Sequence, residues 1–203
     1  MIPAVATSKR DLPAPTGRNS VRIIGGAWRG RRVHFPDVPG LRPTPDRVRE
    51  TVFNWLQHSL LETRCLDLFA GSGALGLEAL SRGAANVVFV EQLPAAARAL
   101  QEQLVRFGGE SKGRVMEIGA ARFLSTPAAP FDIAFLDPPF GKDALAEYIP
   151  MLDGGNWVRP GSLVYLENER IGGLPKLPEH WEVLKSKSAG EVGYHLARVN
   201  GRK

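Results

Sequence analysis

The stretch DLFAGSGALG at residues 67–76 decides the fold, because it joins an apolar strand to a helix through a glycine-rich turn. Its glycines match the pattern G-x-G-x-x-G, which lets a bound ligand approach the backbone closely at the start of the helix. An acidic residue, Glu91, ends the next predicted strand, 24 positions after Asp67. These features together predict a cofactor site at the carboxyl end of a parallel sheet.

The sequence that follows alternates between apolar strands and amphipathic helices. Such repeated units predict an α/β fold with a parallel, doubly wound sheet. The last two predicted strands, 181–188 and 192–199, are separated only by a short turn, so we expect them to form an antiparallel hairpin at the sheet edge. The other predicted strands are 64–69, 86–91, 114–118, 131–137 and 162–167, and the helices are 73–82, 94–107, a short one ending at 123, and 143–152.

The region before residue 64 divides into three parts. Residues 1–20 contain prolines among small and polar residues and are predicted to form a flexible tail. Apolar residues at 21–24 and 31–35 flank a glycine-containing turn, which predicts a small β-hairpin. A proline-rich connector leads to a helix at about 44–58, with Thr44 expected as its N-cap. We therefore predict a tail (1–20), a hairpin with connector (21–43) and a main domain (44–203).

Positive charge is concentrated at the start of the chain. Residues 1–50 contain ten Lys and Arg against four Asp and Glu, whereas residues 51–203 contain sixteen against seventeen. This asymmetry favours an arm that binds a polyanion, although a solvated basic surface without a partner is the alternative. Trp28, at the predicted hairpin turn, is expected either to stack on a base or to pack on the domain. The candidate phosphate-binding residues are Arg22, Arg29, Arg31, Arg32, Arg42, Arg47 and Arg49.

Composition excludes several other classes of protein. No apolar run approaches the length that spans a bilayer, and residues 1–20 contain no apolar segment typical of a secretory signal. The single cysteine, Cys65, lies in an apolar run and is expected to be buried. The four histidines are scattered, so no metal site is expected. We expect a cytoplasmic protein that acts as a monomer.

Asp67 distinguishes between two classes of cofactor. Its carboxylate is predicted at the mouth of the glycine turn, where it would repel the pyrophosphate of NAD. S-adenosyl-L-methionine instead carries a sulfonium and an ammonium group, both of which a carboxylate attracts. Glu91 is placed to accept hydrogen bonds from both ribose hydroxyls. The predicted cofactor-binding residues in this region are Asp67, Ala70, Gly71, Ser72, Gly73, Gly76, Glu91 and Gln92.

A second motif, Asp137-Pro138-Pro139-Phe140, follows the fourth strand of the main domain. Strands 1 and 4 of such a sheet flank the point where the strand order reverses, so this motif should face the glycine turn. The Asp137 side chain and the Pro138 carbonyl could accept the two N–H bonds of an exocyclic base amine, while the prolines stiffen the backbone. Phe140 offers a flat surface for stacking an extruded base. Asp137 would either take the proton or only orient the amine.

The glycine turn and the Asp-Pro-Pro-Phe motif have the order and spacing of class I amino-methyltransferases. Residues 22–31 (RIIGGAWRGR) and 41–56 (LRPTPDRVRETVFNWL) resemble more specifically the RsmD family of bacterial 16S ribosomal RNA guanine-N2 methyltransferases. The resemblance, which extends from about residue 22 to residue 199, implies a Rossmann-like, mostly parallel sheet of seven strands and an N-terminal hairpin that contacts RNA. It also implies that the substrate is 16S rRNA within a small-subunit particle. Where the family pattern has a polar residue after the third strand, this chain has Gly119-Ala120, so backbone groups at Ala120 and Ala121 are expected to bind the adenine.

Three other functions remain as alternatives. One is an amino-methyltransferase acting on adenine or on a protein glutamine, since Asp-Pro-Pro-Phe alone does not separate these substrates. Another is a non-catalytic RNA-binding assembly factor that keeps the fold, against which the intact motif at 137–140 argues. The third is an NAD-dependent oxidoreductase, which Asp67 disfavours. Tyr194 in the last hairpin is expected to pack in the core or to line the base pocket.

Overall fold

The computed structural model describes residues 19–39, 41–139 and 144–202 of the 203-residue chain. The predicted tail at 1–20 lies almost entirely outside the described residues, and so does Phe140. The helices are α1 (Asp46–Leu56), α2 (Ala74–Ser81), α3 (Pro94–Phe107), α4 (Ala120–Leu124) and α5 (Ala144–Gly154). The strands are β1 (Asn19–Arg22), β2 (Arg32–Phe35), β3 (Arg64–Asp67), β4 (Asn86–Glu91), β5 (Gly113–Glu117), β6 (Phe131–Leu136), β7 (Val158–Glu169), β8 (Trp181–Ala189) and β9 (Val192–Val199).

Seven strands form one sheet in the order β5-β4-β3-β6-β7-β9-β8. The pairs from β5 to β7 are parallel, whereas β9 runs antiparallel between β7 and β8. The predicted α/β fold with a terminal antiparallel hairpin is therefore confirmed. The strand order reverses between β3 and β6, which places the glycine turn beside the Asp-Pro-Pro motif as expected.

The sheet is covered on both faces, which explains why its central strands are almost continuously apolar. One face packs against α1, α2 and α3, and its core includes Phe53, Phe89 and Phe135. The other face packs against α4 and α5, with Leu136 and Leu166 in its core. Cys65 is fully buried, as predicted, and burial raises the pKa of its thiol to about 12.

Strand β7 begins earlier than the sequence predicts, at Val158 instead of Ser162. Pro160 and Gly161 are residues typical of turns, and Gly161 adopts a left-handed φ of 95°. The chain nevertheless continues in the sheet through an irregularity in the β6–β7 register. The Ser162 hydroxyl accepts the Arg159 N–H at 3.0 Å and donates to the Phe131 carbonyl at 2.7 Å, so a side chain replaces the missing ladder hydrogen bonds.

The N-terminal hairpin is present, with β1 and β2 antiparallel. β1 lies at Asn19–Arg22, two residues earlier than predicted, and the backbone pairing continues from Ile23 to Arg31 beyond the strands. Trp28 packs on Phe107 at the end of α3, with ring centroids 5.1 Å apart. Of the two roles considered for Trp28, the structure therefore shows packing on the domain.

Hydrogen bonds to two side chains, Glu78 and Ser81, fix the hairpin turn to the C-terminal half of α2. The buried Glu78 carboxylate accepts the backbone N–H groups of Ile24 and Gly25, each at 2.8 Å. The Ser81 hydroxyl accepts the Trp28 N–H at 2.9 Å and donates to the Gly25 carbonyl at 2.5 Å. Gly26 has a φ of 76°, and a Cβ there would collide with the Ser81 carbonyl, so only glycine fits. These contacts make the hairpin part of the main domain's packing.

Arg49 is a correction to the sequence analysis, which placed it among the phosphate contacts. Its side chain is fully buried and pairs with Glu78 at 3.3 Å and with Asp46 at 2.6 Å. It also donates to the carbonyls of Arg22 at 2.9 Å and Thr44 at 3.1 Å. Arg49 thus connects three elements, which are the hairpin, the N-terminal end of α1, and α2. Its guanidinium is not accessible to RNA.

Among the described residues, no helix is long and apolar enough to cross a bilayer. Within the same ranges, no group of three or more His, Cys, Asp or Glu side chains is arranged to hold a metal ion.

Candidate active site

Four acidic residues lie at the carboxyl ends of four adjacent strands. Asp67 ends β3, Glu91 ends β4, Asp137 follows β6, and Glu167 lies near the end of β7. Because side chains alternate along a strand, all four fall on the face of the sheet that α1, α2 and α3 cover. Asp67, Glu91 and Glu167 are buried, and Asp137 is partly buried. The site is thus a cluster of carboxyl groups with little access to water.

The glycine turn follows Asp67 and adjoins this cluster. Its backbone has the conformation that the sequence predicts. Gly71 and Gly73 both adopt left-handed φ angles, of 52° and 76°. A Cβ on Gly73 would collide with Leu100, so this glycine is required by packing as well. A Cβ on Gly71 would meet nothing closer than 3.9 Å, which leaves the backbone of the turn open to a ligand. The neighbouring Ala70 and Ser72 are buried within the same turn.

Asp67 lies beneath the glycine turn. Its Oδ2 accepts the backbone N–H of Gly76 at 2.9 Å, and the side chain is almost completely buried. Burial, against the opposing Gly76 hydrogen bond and with contributions from the nearby charges of Asp137 and Glu91, raises the pKa of this carboxyl to about 7. The prediction placed this carboxylate at the mouth of the turn, whereas one of its oxygens is used to hold the first turn of α2.

Glu91 is fixed by two backbone hydrogen bonds. Its Oε2 accepts the Gly71 N–H at 2.8 Å and its Oε1 accepts the Leu93 N–H at 2.7 Å. An ionised carboxylate has about four acceptor positions, so each oxygen keeps one for a ligand. This geometry suits the two hydroxyls of a ribose. Gln92 directly follows Glu91, and its side-chain Oε1 would lie 3.6 Å from a Cβ on Gly119, so Gln92 faces the start of the segment that contains Ala120 and Ala121.

The electrostatics of the cluster favour a cationic ligand. Within the described ranges, no Lys, Arg or His forms an ion pair with Asp67, Asp137 or Glu167. Buried carboxylates without a cation are costly, which is why the pKa values of all three groups are raised. A sulfonium or ammonium group beside Asp67 would relieve this cost, whereas a pyrophosphate would add to it. The residues present therefore fit S-adenosyl-L-methionine and do not fit NAD.

Asp137 is held by a residue to which the sequence analysis gave a different role. Thr44 was expected to cap α1, but the N-cap is Pro45 and no side chain caps this helix. The Thr44 hydroxyl instead donates to Asp137 Oδ2 at 3.0 Å. Burial raises the pKa of Asp137 to about 6, while this hydrogen bond lowers it. Nothing in the sequence distinguishes the two roles, because a threonine before a proline and an acidic residue is typical of a helix start.

The remainder of the motif that the sequence predicts to be catalytic lies only partly within the described residues. Pro138 is buried and Pro139 is exposed, so the two prolines face different environments at the strand exit. Phe140 lies outside the described residues, and its predicted stacking role stays a prediction.

Glu167 is the member of the cluster that the sequence analysis missed. It was included in the predicted fifth strand of the main domain without a role. It is 3% exposed, and its Oε2 accepts the Tyr165 hydroxyl at 2.6 Å. Burial raises its pKa to about 8, and the charge of Asp137 contributes. A glutamate in an apolar run, Leu163 to Leu166 before it, is the one signal that could have identified it.

The N-terminal arginines fall into two groups. Arg31 donates to the Arg106 carbonyl at 2.5 Å and lies 4.0 Å above the Phe107 ring, and Arg32 donates to the Ser20 hydroxyl at 3.1 Å. The others are exposed and form no side-chain hydrogen bond or ion pair with the described residues: Arg22, Arg29, Arg42 and Arg47. Tyr194 is in the core, as expected, where it stacks on Trp55 at 5.5 Å.

We expect Thr44→Val to lower the rate of the reaction about 10–100-fold, since a hydrogen bond to a charged group contributes about 1.5–3 kcal/mol. The hydroxyl lowers the pKa of Asp137, so its removal raises that pKa and shifts the rising part of the pH–rate profile to higher pH. The profile of kcat/KM against pH measures this shift. Thr51→Val, which removes a hydroxyl that bonds only the Arg47 carbonyl, is the matched control. An unchanged profile for Thr44→Val would contradict the assignment.

The strand order, the glycine turn after β3, the acidic end of β4 and the Asp-Pro-Pro segment after β6 define a class I S-adenosylmethionine-dependent methyltransferase fold. Comparison with known proteins narrows this class. A family model described as "Conserved hypothetical protein 95" matches residues 21–198. The chain belongs to this family, the RsmD family of methyltransferases.

Relatives in this family are similar over nearly their whole length. The chain is 46% identical over 187 residues to Ribosomal RNA small subunit methyltransferase D of Escherichia coli K12, covering 91% of this chain and 92% of that protein. It is 42% identical over 190 residues to the protein of the same name from Haemophilus influenzae, covering 92% and 98%. The solved structure of yhhF from Escherichia coli superposes with a TM-score of 0.85 at 44% identity and covers 91% of this chain and 100% of that one.

Proposed function

We propose that this protein transfers a methyl group from S-adenosyl-L-methionine to the exocyclic N2 of a guanine in 16S rRNA of the small ribosomal subunit. The observation that carries the proposal is that Asp137 belongs to a cluster of carboxyl groups beside the glycine turn, in which Asp67, Asp137 and Glu167 form no ion pair with a described Lys, Arg or His. This brings a group suited to hold an amine next to a site suited to a cationic cofactor. The names of the relatives support ribosomal RNA as the substrate.

S-adenosyl-L-methionine, when bound, supplies an electrophilic methyl group on a cationic sulfur. Glu91, already oriented by two backbone N–H groups, would accept the ribose hydroxyls. Asp67 would provide negative charge beneath the methionine portion, whose close approach the turn at Ala70, Gly71, Ser72 and Gly73 would permit. Gln92 and the backbone of Ala120 and Ala121 would enclose the adenine, because Gln92 and the neighbouring Gly119 follow the ends of the paired strands β4 and β5 and lie close together.

Asp137 would hold the target amine through one of its two N–H bonds. Thr44 already donates to Oδ2, which leaves Oδ1 and the remaining lone pair of Oδ2 as acceptors. The Pro138 carbonyl would accept the second N–H, and Phe140 would stack on the base. With both N–H bonds engaged, the nitrogen lone pair would point toward the methyl group, so that the protein accelerates the reaction mainly by positioning.

The N-terminal hairpin and connector at 21–43 would bind RNA next to the methyltransferase domain at 44–203. The exposed Arg22, Arg29, Arg42 and Arg47 form no ion pair among the described residues and are therefore free to bind phosphates. Arg31, Arg32 and Trp28 would support this surface mainly by fixing the hairpin. We propose that the enzyme works as a cytoplasmic monomer on a small-subunit particle in which ribosomal proteins contribute to recognition.

The test is mass mapping of small-subunit RNA from cells with and without this protein, followed by methylation of the unmodified particles with the purified enzyme. We expect one N2-methylguanine to be absent without the protein and restored by it. Loss of a different modified nucleoside, or a complete set of N2-methylguanines in cells without the protein, would overturn the proposal. Calorimetric binding of NAD in place of S-adenosylhomocysteine would overturn the cofactor assignment.

Replacing Arg22, Arg29, Arg42 and Arg47 together with alanine should weaken binding to the particle and flatten its salt dependence. Each phosphate contact contributes about 0.7–0.9 to the slope of log K against log salt, so four lost contacts reduce the slope by about 3. The measurement is a binding titration at several salt concentrations. The control is a variant with the same change in charge at exposed positions on other elements, Arg98, Lys112, Arg114 and Arg198. Equal slopes for the two variants would contradict an RNA-binding hairpin.

A further inference from the structure

Glu167 is a buried acid that neither the fold nor the proposed mechanism uses. Its side chain is 3% exposed, and among the described residues its only polar partner is the Tyr165 hydroxyl, at 2.6 Å. Tyr165 and Tyr194, the groups next to it on β7 and β9, belong to the core. An apolar side chain would fill this position at lower cost, because burying a carboxyl group without a cation is unfavourable. A perturbed acid in such a place is a candidate for a functional role.

The register of the sheet places Glu167 beside Asp137. Leu136 of β6 pairs with Leu166 of β7 in parallel, so Asp137 and Glu167 occupy the next positions on the two strands. The preceding residues, Phe135 and Tyr165, also pair and point to the same core. Alternation along the strands therefore directs Asp137 and Glu167 to the same face. A base whose amine contacts Asp137 would present its neighbouring ring atoms on the side where Glu167 lies.

The Watson–Crick edge of guanine carries N2, N1–H and O6 in that order. A neutral carboxyl group has one acceptor and one O–H donor side by side, which complements N1–H and O6. We propose that Glu167 is a specificity-determining residue that pairs with N1–H and O6 of the target guanine while Asp137 holds the N2 amine. This inference rests on the proposed function, because it assumes that the methylated base is a guanine.

The charge state of Glu167 agrees with this role. Burial and the neighbouring Asp137 raise its pKa to about 8, so at pH 7 it carries the proton that O6 requires. The titratable groups that face it are Asp137 from the end of β6, Tyr165 on β7 and Tyr194 on β9. Tyr165 does not ionise near pH 8, since burial and the nearby acids raise its pKa further above the ordinary value. Loss of the Glu167 proton above about pH 8 would remove the donor to O6.

The experiment compares small-subunit particles that carry guanine or 2-aminopurine at the methylated position. 2-Aminopurine keeps the amine but lacks both N1–H and O6. For the wild-type enzyme we expect kcat/KM to be about 10–100-fold lower with 2-aminopurine, as expected for two lost hydrogen bonds. For Glu167→Ala the two substrates should differ by less than about threefold. Glu182→Ala, at an exposed position on β8, should keep the wild-type ratio.

Glu167→Gln provides a second readout that does not depend on whether the alanine variant folds. An amide has the donor and acceptor pattern of a neutral carboxyl group but does not titrate, so this variant should keep the preference for guanine. The wild-type rate should fall above about pH 8, and this fall should be absent in Glu167→Gln. A full guanine preference in Glu167→Ala, or an unchanged fall in rate for Glu167→Gln, would overturn the role of Glu167 while leaving the proposed function intact. A wild-type enzyme that leaves guanine unmodified would overturn both.

Discussion

Asp137→Ala is expected to lower kcat about 10²–10³-fold, the size of effect found when one preorganised polar group at a reacting centre is removed. The substitution removes the side chain that holds the target amine, and Pro138 alone cannot orient it. Binding of S-adenosylhomocysteine should be unchanged within a few fold, because Glu91 and the glycine turn are held by their own backbone hydrogen bonds. Transfer of a labelled methyl group to small-subunit particles measures the first effect, and calorimetry measures the second.

Asp137→Asn is the matched control, because it keeps the shape and one oxygen acceptor but does not titrate. The pKa of Asp137 is raised to about 6, so the wild-type rate should rise through about pH 6 as the carboxylate forms. In Asp137→Asn this rise should be absent. Substantial activity in the asparagine variant would indicate that Asp137 only orients the amine, and a loss as large as with alanine would indicate that it takes the proton. Wild-type activity in Asp137→Ala would refute the catalytic assignment itself.

The largest effect on stability is expected for Glu78→Ala. Glu78 accepts the N–H groups of Ile24 and Gly25 and pairs with the buried Arg49. Among the described residues, alanine would leave the Arg49 guanidinium with only the exposed Asp46 as a charged partner and both backbone donors without the Glu78 acceptor. Removing one partner of a buried ion pair costs about 3–5 kcal/mol. Urea unfolding should report a loss of this size in the free energy of unfolding.

Glu102→Ala is the control for this prediction, since Glu102 is exposed on α3 and should contribute less than about 0.5 kcal/mol. We also expect faster amide hydrogen exchange at Ile24 and Gly25 in Glu78→Ala, because their acceptor is gone. A loss below about 1 kcal/mol with unchanged exchange at these amides would contradict the anchoring role of Glu78.

The parts of the structure that the sequence predicts well are those with strong local signals. The glycine turn at 67–76 and the apolar strands β3, β4 and β6 are specified by periodicity and by residues with special backbone angles. The adjacency of β3 and β6 follows from the general topology of doubly wound sheets. The sequence alone therefore predicts the cofactor-binding positions on the glycine turn and the position of Asp137 beside it.

The parts that the sequence did not predict depend on contacts between distant segments. Thr44 bonds Asp137, 93 positions away, although its local context is that of a helix cap. Arg49 resembles any basic residue on an exposed helix, but Glu78 and two backbone carbonyls surround it in the core. Glu167 becomes notable only once the β6–β7 register places it beside Asp137. In each case the interacting residue lies far away in the sequence, so the local sequence pattern does not reveal the contact.

Helix α2 begins at the glycine turn, and its C-terminal half contacts the N-terminal hairpin. It starts after Gly73 and ends at Ser81, a length of about 12 Å at 1.5 Å per residue. If the hairpin binds RNA as proposed, this short, rigid helix sets the distance along the RNA between the methylated nucleotide and the phosphates that the hairpin binds. One extra residue in α2 would turn Ser81 by about 100° away from the hairpin. The helix therefore cannot change its length by one residue and keep the Ser81 hydrogen bonds to the hairpin.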